Sequence, residues 1–194
     1  MYSDVYAKIQ RKNKLLFNRD SLALAELLSD IRQASRKDLI LWALNNSMRI
    51  LENLESKSNY DQTLKAIKTA EAWAFNQIKM PVAKAEILNL HKLSKTTKAL
   101  TETYYLQAIA QGLSTIHVET HAIGLAIYEL SGIVVKNNYQ DFEVNVSETI
   151  TGYINDLKMI KASDKSTYNW SKFIIDMPEN KELLLYKKNL NIDK

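Results

Sequence analysis

The chain holds three histidines, the side chains best suited to titrate near neutral pH or to bind a metal ion. His117 and His121 lie four residues apart in the apolar segment 113–128, and His91 precedes them. Four residues are slightly more than one helical turn, so an unbroken helix would project the rings of His117 and His121 from one face. Together with His91, the two rings could then contact a metal ion, a small molecule or a partner.

The spacing differs from that of a zinc-dependent protease. The H-E-x-x-H motif of those enzymes places a glutamate, the general base, directly after the first histidine. Here Val118 follows His117, and on an ideal helix Glu119 points about 200° away from His117. Histidines in apolar helices are more often satisfied by hydrogen bonds to hydroxyls or backbone carbonyls. We therefore expect His117 and His121 to be structural, with a ligand- or partner-contacting cluster of the three histidines as the alternative and no metal site.

Other catalytic signatures are absent from the sequence. It contains no G-x-x-x-x-G-K-[ST] loop, no G-x-G-x-x-G fingerprint and no G-x-S-x-G elbow. It also contains no cysteine, which excludes disulfides, thiol nucleophiles and cysteine-bound zinc. We therefore expect a protein that is not an enzyme, has no catalytic residues and requires no cofactor.

The most apolar region, residues 99–135, does not suit a membrane span, because Glu102, Glu119 and Glu129 interrupt it. The first eight residues lack the basic and then apolar pattern of a signal peptide. The absence of cysteine suits a reducing compartment. These features predict a soluble, cytoplasmic protein without a membrane partner.

The net charge of +4 is distributed unevenly along the sequence. Residues 1–20 carry two aspartates against five basic residues, which are Lys8, Arg11, Lys12, Lys14 and Arg19. Such an arm could contact phosphates or an acidic partner, although a solvated helix surface is the simpler interpretation. No known recognition helix or aromatic-interleaved RNA platform is present, so we do not expect a nucleic-acid partner.

Composition and length indicate helices. A hydrophobic fraction of 46% and a charged fraction of 25% are typical of globular proteins. Four glycines and two prolines are too few for a β protein that turns every ten residues. The sequence therefore predicts an all-α fold in which 194 residues form a single multi-helix domain.

Capping signals and apolar periodicity locate the individual helices. Ser35 and Asp38 have the spacing of a capping box and predict a helix over residues 35–55. Ser58 and Asp61 repeat this signal for a second helix, and Pro81 fits the first turn of a third. A further helix is predicted from Asp20 or Ser21 onward, and three more are predicted over residues 145–160, 168–175 and 178–190. Asn145 and Glu148 have the spacing of a cap for the helix over residues 145–160.

Residues 100–135 are almost continuously compatible with a helix and poor in charge, so we expect this segment at the centre of the bundle. A straight helix of that length would be unusual, and a break is expected near Gly112 or between His117 and His121. Gly112, Gly124 and Gly132 each cost helix stability. Close approach of neighbouring helices is the expected compensation.

Among the aromatic residues, Tyr168 and Trp170 are flanked by polar neighbours. The other large aromatic side chains recur at spacings typical of a core. Aromatic side chains are enriched among the residues that dominate protein interfaces. We therefore expect Tyr168 and Trp170 to form an exposed contact patch.

Four segments occur in a characteristic order, and they are LWAL (41–44) with RILE (49–52), AIKTAEAWA (66–74), AKAEILNLH (83–91) and STIHVETHAIGLA (114–126). In this order they resemble a helical bacterial family described as putative immunity proteins, the immunity-protein-five-like domain. The resemblance spans residues 39–135 and leaves 136–194 as a helical extension. This chain has less alanine than the family, and Phe75-Asn76 replaces an Arg-Gly-Glu-like turn.

The resemblance implies a cytoplasmic all-α protein that binds and neutralises a cognate toxin and has no catalytic residues. Two alternatives remain open from the residues alone. One is a helical metal- or small-molecule-binding protein or enzyme that uses His91, His117 and His121. The other is a nucleic-acid-associated protein that uses the basic N-terminal arm. The identity of the toxin and the oligomeric state do not follow from the sequence.

Overall fold

In the computed structural model, residues 1–176 and 180–192 are described, and they form helices and connecting segments without any strand. The all-α fold class is therefore confirmed. Two short 3₁₀ turns, Leu22–Leu24 and Glu119–His121, precede α2 and α7. The helices are α1 (Ser3–Gln10), α2 (Ala25–Gln33), α3 (Arg36–Leu51), α4 (Lys57–Ala74), α5 (Met80–Thr96), α6 (Leu100–Ser114), α7 (Ala122–Lys136), α8 (Glu143–Ala162), α9 (Lys172–Ile175) and α10 (Lys181–Ile192).

In α3 to α5 the N-termini of the helices follow the local signals closely, with one displacement. The predicted capping box begins α3: the Ser35 hydroxyl accepts from the Asp38 amide, and the Asp38 carboxylate accepts from the Ser35 amide at 2.9 Å. Pro81 lies in the first turn of α5, as predicted. The second helix begins earlier than predicted, because Ser56, not Ser58, accepts from the Asn59 amide at 3.3 Å.

Predicted boundaries in the last third of the chain are less accurate. The expected cap at Asn145 and Glu148 is wrong, because α8 already begins at Glu143 and no side chain caps it. Of the predicted helix over 168–175, only Lys172–Ile175 is helical. The helix expected over 178–190 is α10, which begins at Lys181, and Pro178 lies outside the described residues.

Three helices end in a left-handed residue that is not glycine. At the end of α4, Asn76 has φ 60°, and its amide bonds to the Trp73 carbonyl while the Gln77 amide bonds to the Ala72 carbonyl. This pair of bonds is the Schellman arrangement, which usually uses glycine at the left-handed position. The same conformation occurs after α1 and α7, at Lys12 (φ 55°) and Asn138 (φ 52°).

The apolar segment 100–135 forms the centre of the fold, as predicted, but as two helices. Antiparallel α6 and α7 pack along their length, α3 and α5 flank α6, and α4 packs against α5 and α3. On the other side, α8 packs against α2, α3 and α7. The break between α6 and α7 falls at residues 115–121, so it contains His117 and His121. No helix in the described ranges is both long and apolar enough to cross a membrane.

The glycines of this central pair lie where helices approach closely, which confirms that expectation. A Cβ on Gly112 would be 2.5 Å from Leu125 Cδ1 on α7 and 2.6 Å from Ser47 Oγ on α3. A Cβ on Gly132 would be 2.9 Å from Tyr104 Cβ on α6. Gly112 therefore sets the distance between three helices.

Replacing Gly112 with alanine is expected to lower the free energy of unfolding by about 1–3 kcal/mol, because the added methyl group overpacks this junction. The matched control is Gly152→Ala on α8, where an added Cβ has no atom within 4 Å. That variant is expected to gain about 0.5–1 kcal/mol, since alanine is the better helix former. Urea titrations of both variants measure the difference. Equal effects of the two substitutions would show that helix spacing at Gly112 is not constrained.

The C-terminal segment returns to the helices at the start of the chain. Asn180 is buried, and its Nδ2 donates to the carbonyls of Ile31 (2.7 Å) and Ala34 (2.9 Å) at the end of α2. Its Oδ1 accepts from the Glu182 amide at the start of α10. Glu182 is buried in turn and pairs with Arg19. One asparagine thus satisfies backbone groups at the ends of two helices.

Candidate functional sites

The break between α6 and α7 decides where His117 and His121 lie. The chain leaves α6 after Ser114, becomes extended at Val118 (φ −147°, ψ 125°) and enters a 3₁₀ turn at Glu119. The two histidines therefore do not share the face of one helix. A break near Gly112 or between His117 and His121 was expected, and α6 in fact ends at Ser114, before both histidines.

Two glutamines on α6 hold two of the histidines. His121 Nδ1 lies 2.7 Å from Gln111 Oε1, and His91 Nδ1 lies 3.2 Å from Gln107 Oε1. Gln107 also donates to Ser94 on α5. Since Gln107 and Gln111 are one turn apart on α6, this helix connects α5 to the start of α7 through amide–imidazole hydrogen bonds. The expected structural role is consistent with these contacts, and a ligand or partner at the three histidines stays a prediction.

His117 has a different environment. Its ring lies 5.7 Å from the ring of Trp73 at the C-terminal end of α4. Its Nε2 is buried and has no hydrogen-bond partner among the described residues. The hydrogen-bonding role expected for His117 is therefore not found at this atom, and the ring is held by packing. Within residues 1–176 and 180–192, no three His, Asp or Glu side chains lie close enough together to hold a metal ion.

Burial lowers the pKa of both His117 and His121 below the ordinary value of 6.5. The cause is that a half-buried imidazolium loses hydration that the neutral ring does not need. Both rings are therefore neutral at physiological pH. The charges of Lys84 and Arg36 near His117, and of Arg19 near His121, lower these pKa values further.

The free energy of unfolding is expected to fall as the pH is lowered through about 6.5. Below that value the unfolded chain binds protons at both rings before the folded chain does, so acid favours unfolding. The stability that the two neutral histidines contribute is fully present above about pH 6.5, and it is lost as the pH falls toward their lower pKa values in the folded state. Urea titrations at pH 7.5, 6.5 and 5.5 test this, with His117→Phe/His121→Gln as the comparison. If the wild type and the double variant lost stability in parallel, the lowered pKa values would be wrong.

A buried ion pair lies beside the break. Arg36, at the start of α3, and Glu119, in the 3₁₀ turn, have side chains 2% and 0% exposed, with Nη1 and Oε1 3.4 Å apart. Arg36 Nη2 also donates to the carbonyls of Ile116 (3.0 Å) and His117 (3.1 Å). Burial lowers the pKa of Arg36 while Glu119 opposes that shift. The guanidinium therefore stabilises the backbone where the helix is interrupted.

A second buried carboxylate, Glu129 on α7, is held by two other helices. Arg49 on α3 donates to both carboxylate oxygens at 2.7 Å, and the Tyr153 hydroxyl on α8 donates to Oε2. Trp42 Nε1 donates to the Tyr153 carbonyl at 3.0 Å. Burial, and then the charge of Glu129, raises the pKa of Tyr153 well above its usual value, so its hydroxyl stays a donor. This polar network joins α3, α7 and α8 in the core.

Neither ion pair was identified from the sequence, although a signal was present. Glu119 and Glu129 interrupt an apolar segment, and a carboxylate in such a place is almost never buried without a partner. Both residues argue against a membrane span, and Glu119 also fails to match the zinc-protease motif. The signal could have predicted that each carboxylate requires a cation, but it could not have indicated Arg36 or Arg49 as the partner.

The expected exposed patch at Tyr168 and Trp170 is only half correct. Tyr168 is 40% exposed, but Trp170 is 5% exposed and is therefore buried. Trp170 packs on Phe75 with ring centroids 5.3 Å apart, and its Nε1 donates to the Lys165 carbonyl at 3.2 Å. The polar neighbours of Trp170 in the sequence suggested exposure, but the indole N–H is buried with a backbone carbonyl as its hydrogen-bond acceptor. A contact role for the two residues stays a prediction.

Some basic side chains of the N-terminal arm form ion pairs within the fold. Lys8 pairs with Asp4 at 3.2 Å, and Arg19 pairs with Glu182 and donates to the Thr120 carbonyl at 2.7 Å. The remaining three basic residues, Arg11, Lys12 and Lys14, are exposed. Two of the five cations thus have structural partners, so the arm is not a row of free charges.

A family model described as "Imm-5 like putative immunity protein" matches residues 29–159. The match begins within α2 and ends within α8, so it contains both buried ion pairs and reaches further at each end than the resemblance over residues 39–135. No curated protein and no solved structure matches the chain.

Proposed function

Since the chain belongs to the family of Imm-5 like putative immunity proteins, we propose that it binds a cognate protein toxin and neutralises it. The observation that carries this proposal is the family match over residues 29–159, which contains α3 to α7 complete. In this proposal the chain acts as a single domain in the cytoplasm of the bacterium that makes it. There it prevents the toxin from damaging the toxin's own cellular target.

The neutralisation we propose is stoichiometric binding without catalysis. The arrangement of the polar side chains supports this proposal. The carboxylates of Glu119 and Glu129 are buried, and each is paired with an arginine. His91 and His121 contact glutamine amides. These groups are engaged in holding helices together, which suits a rigid protein that binds through its surface.

The test combines capture with toxicity. The full chain is used as bait in a lysate of the source cells, and each co-purified protein is expressed alone and together with the chain. We expect one partner to stop growth when expressed alone and to be harmless when the chain is co-expressed. The proposal would be overturned if co-expression of the chain relieved the growth inhibition caused by no co-purified protein.

Stoichiometry then separates binding from catalysis. The purified chain is titrated against a fixed amount of the toxin in a toxin activity assay. A binding protein abolishes activity at about one equivalent, whereas an enzyme that modifies or destroys the toxin does so at a small fraction of one equivalent. Silencing far below one equivalent would replace the proposed mechanism with a catalytic one.

A further inference from the structure

The positive charge of this protein is concentrated on one pair of helices. The hairpin of α4 and α5, residues 57–98, carries eight lysines against three acidic residues, a net charge of +5. The rest of the chain, with 18 Lys and Arg against 19 Asp and Glu, has a net charge of −1. The hairpin therefore carries a larger net positive charge than the N-terminal arm, whose 20 residues have a net charge of +3.

All eight lysines of the hairpin are exposed. Lys57 pairs with Asp61 at 2.8 Å, and Lys65 on α4 pairs with Glu86 on α5 at 2.7 Å. Within residues 1–176 and 180–192, the other six make no ion pair: Lys68, Lys79, Lys84, Lys92, Lys95 and Lys98. A surface with six free ammonium groups and little opposing charge carries a strong positive potential.

An apolar cleft on the hairpin has one of these free lysines, Lys68, at its edge, together with Asp61. It has a volume of about 480 Å³ and runs between α4 and α5, where Leu64, Ile78 and Val82 contribute apolar surface and Lys65 and Lys68 contribute the margin. Val82 is 51% exposed. An apolar centre with a polar, charged margin is the arrangement found in protein–protein interfaces.

We propose that this hairpin is the docking surface for an acidic face of the protein toxin. The inference rests on the proposed function and specifies the chemistry of the partner: carboxylates placed opposite the free lysines, and an apolar side chain that enters the cleft beside Val82. The hairpin lies entirely within the segment that the family model matches.

A folded acidic protein fits this surface better than a nucleic acid does. The hairpin contains no arginine, the side chain that pairs with guanine through two parallel hydrogen bonds. Its exposed apolar cleft would have no counterpart on a phosphate backbone.

The charges and the cleft contribute differently to binding. Exposed lysines at the margin accelerate encounter with an oppositely charged partner and make its rate depend on salt. The buried apolar contact at the centre sets how slowly the complex dissociates. A change of charge should therefore act mainly on the association rate.

The test variant is Lys68→Glu/Lys92→Glu, which changes one unpaired lysine on each helix and reduces the net charge of the hairpin from +5 to +1. The matched control is Lys187→Glu/Lys188→Glu on α10, which changes the net charge of the whole protein equally and also concerns exposed helical lysines. Circular dichroism verifies that both variants are folded.

With the toxin identified by growth rescue, surface plasmon resonance measures association at 50 and 300 mM salt. The Lys68→Glu/Lys92→Glu variant is expected to associate about tenfold more slowly at low salt and to lose most of the salt dependence. The control is expected to retain both within about twofold. Equal association rates for the hairpin variant and the control would overturn the docking surface.

Two further probes separate this inference from the proposed function. A 20-residue poly-L-glutamate and a 20-base-pair DNA duplex are titrated into the wild-type chain while amide signals are followed by NMR. Poly-L-glutamate that shifts signals of residues 57–98 more strongly than DNA supports an acidic protein partner, even if no toxin is silenced. Stronger shifts with DNA would overturn the inference in favour of nucleic acid. A toxin that the wild type silences, and with which the hairpin variant associates as fast as the control, would leave the immunity function intact and overturn only its location.

Discussion

The Arg49→Ala variant is expected to lose about 3 kcal/mol of unfolding free energy, near the lower end of what breaking a buried ion pair costs. The carboxylate of Glu129 is only 3% exposed, and Arg49 supplies two of the hydrogen bonds that compensate its burial. Without Arg49, only the Tyr153 hydroxyl remains as a donor to this carboxylate among the described residues. The Arg49 side chain is 44% exposed, so water can reach the vacated position, and the full cost of an isolated buried charge is not expected.

Urea titrations followed by circular dichroism measure this effect. Arg49→Lys keeps the charge but loses the two-pronged hydrogen bond, and it should fall between the wild type and Arg49→Ala. Arg11→Ala is the control for loss of an exposed arginine and should change stability by less than about 0.5 kcal/mol. If Arg49→Ala behaved like Arg11→Ala, the network on Glu129 would not stabilise the fold.

The second large effect is expected at Arg36. Arg36→Met should lower the free energy of unfolding by about 4 kcal/mol, because it leaves Glu119 as an unpaired carboxylate in a fully buried position. It also removes the donor to the Ile116 and His117 carbonyls, which lie in the non-helical connection between α6 and α7. The loss should thus combine a buried charge with an unsatisfied backbone.

A double-mutant cycle divides this loss. Adding Glu119→Leu to Arg36→Met removes the unpaired charge, so the double variant should recover at least about 1 kcal/mol relative to Arg36→Met alone. Recovery should remain incomplete, since the two carbonyls still lack their donor. Additive losses in the cycle would mean that the two side chains do not interact.

Local signals predicted the helices well because they act within one or two turns. The hydroxyl of Ser35 and the fixed ring of Pro81 mark the starts of α3 and α5 in the sequence itself, and the structure has both. The central position of residues 100–135 also followed from their low charge. The break was expected between His117 and His121 or near Gly112, and the observed interruption at residues 115–121 lies between those limits.

The contacts that define the candidate sites depend on residues far apart in the chain. Arg49 and Glu129 are 80 positions apart, and no local pattern relates them. For the same reason, the sequence could not show that Gln107 and Gln111 would contact His91 and His121. Trp170 was expected at the surface because its immediate neighbours are polar, but it is covered by Phe75, which directly follows α4.

The position of Asn180 has a consequence for how the chain folds during synthesis. Its side chain donates to the carbonyls of Ile31 and Ala34 at the end of α2, which lie 149 and 146 positions earlier in the chain. It also accepts from the Glu182 amide at the start of α10. A ribosome that has released α2 must therefore produce most of the remaining helices before those carbonyls find their donor. Local helix pairs such as α4–α5 and α6–α7 can form as they emerge, whereas the closure at Asn180 has to wait for them. We therefore expect short-range hairpins to form first and the contacts of Asn180 to be among the last long-range contacts to form.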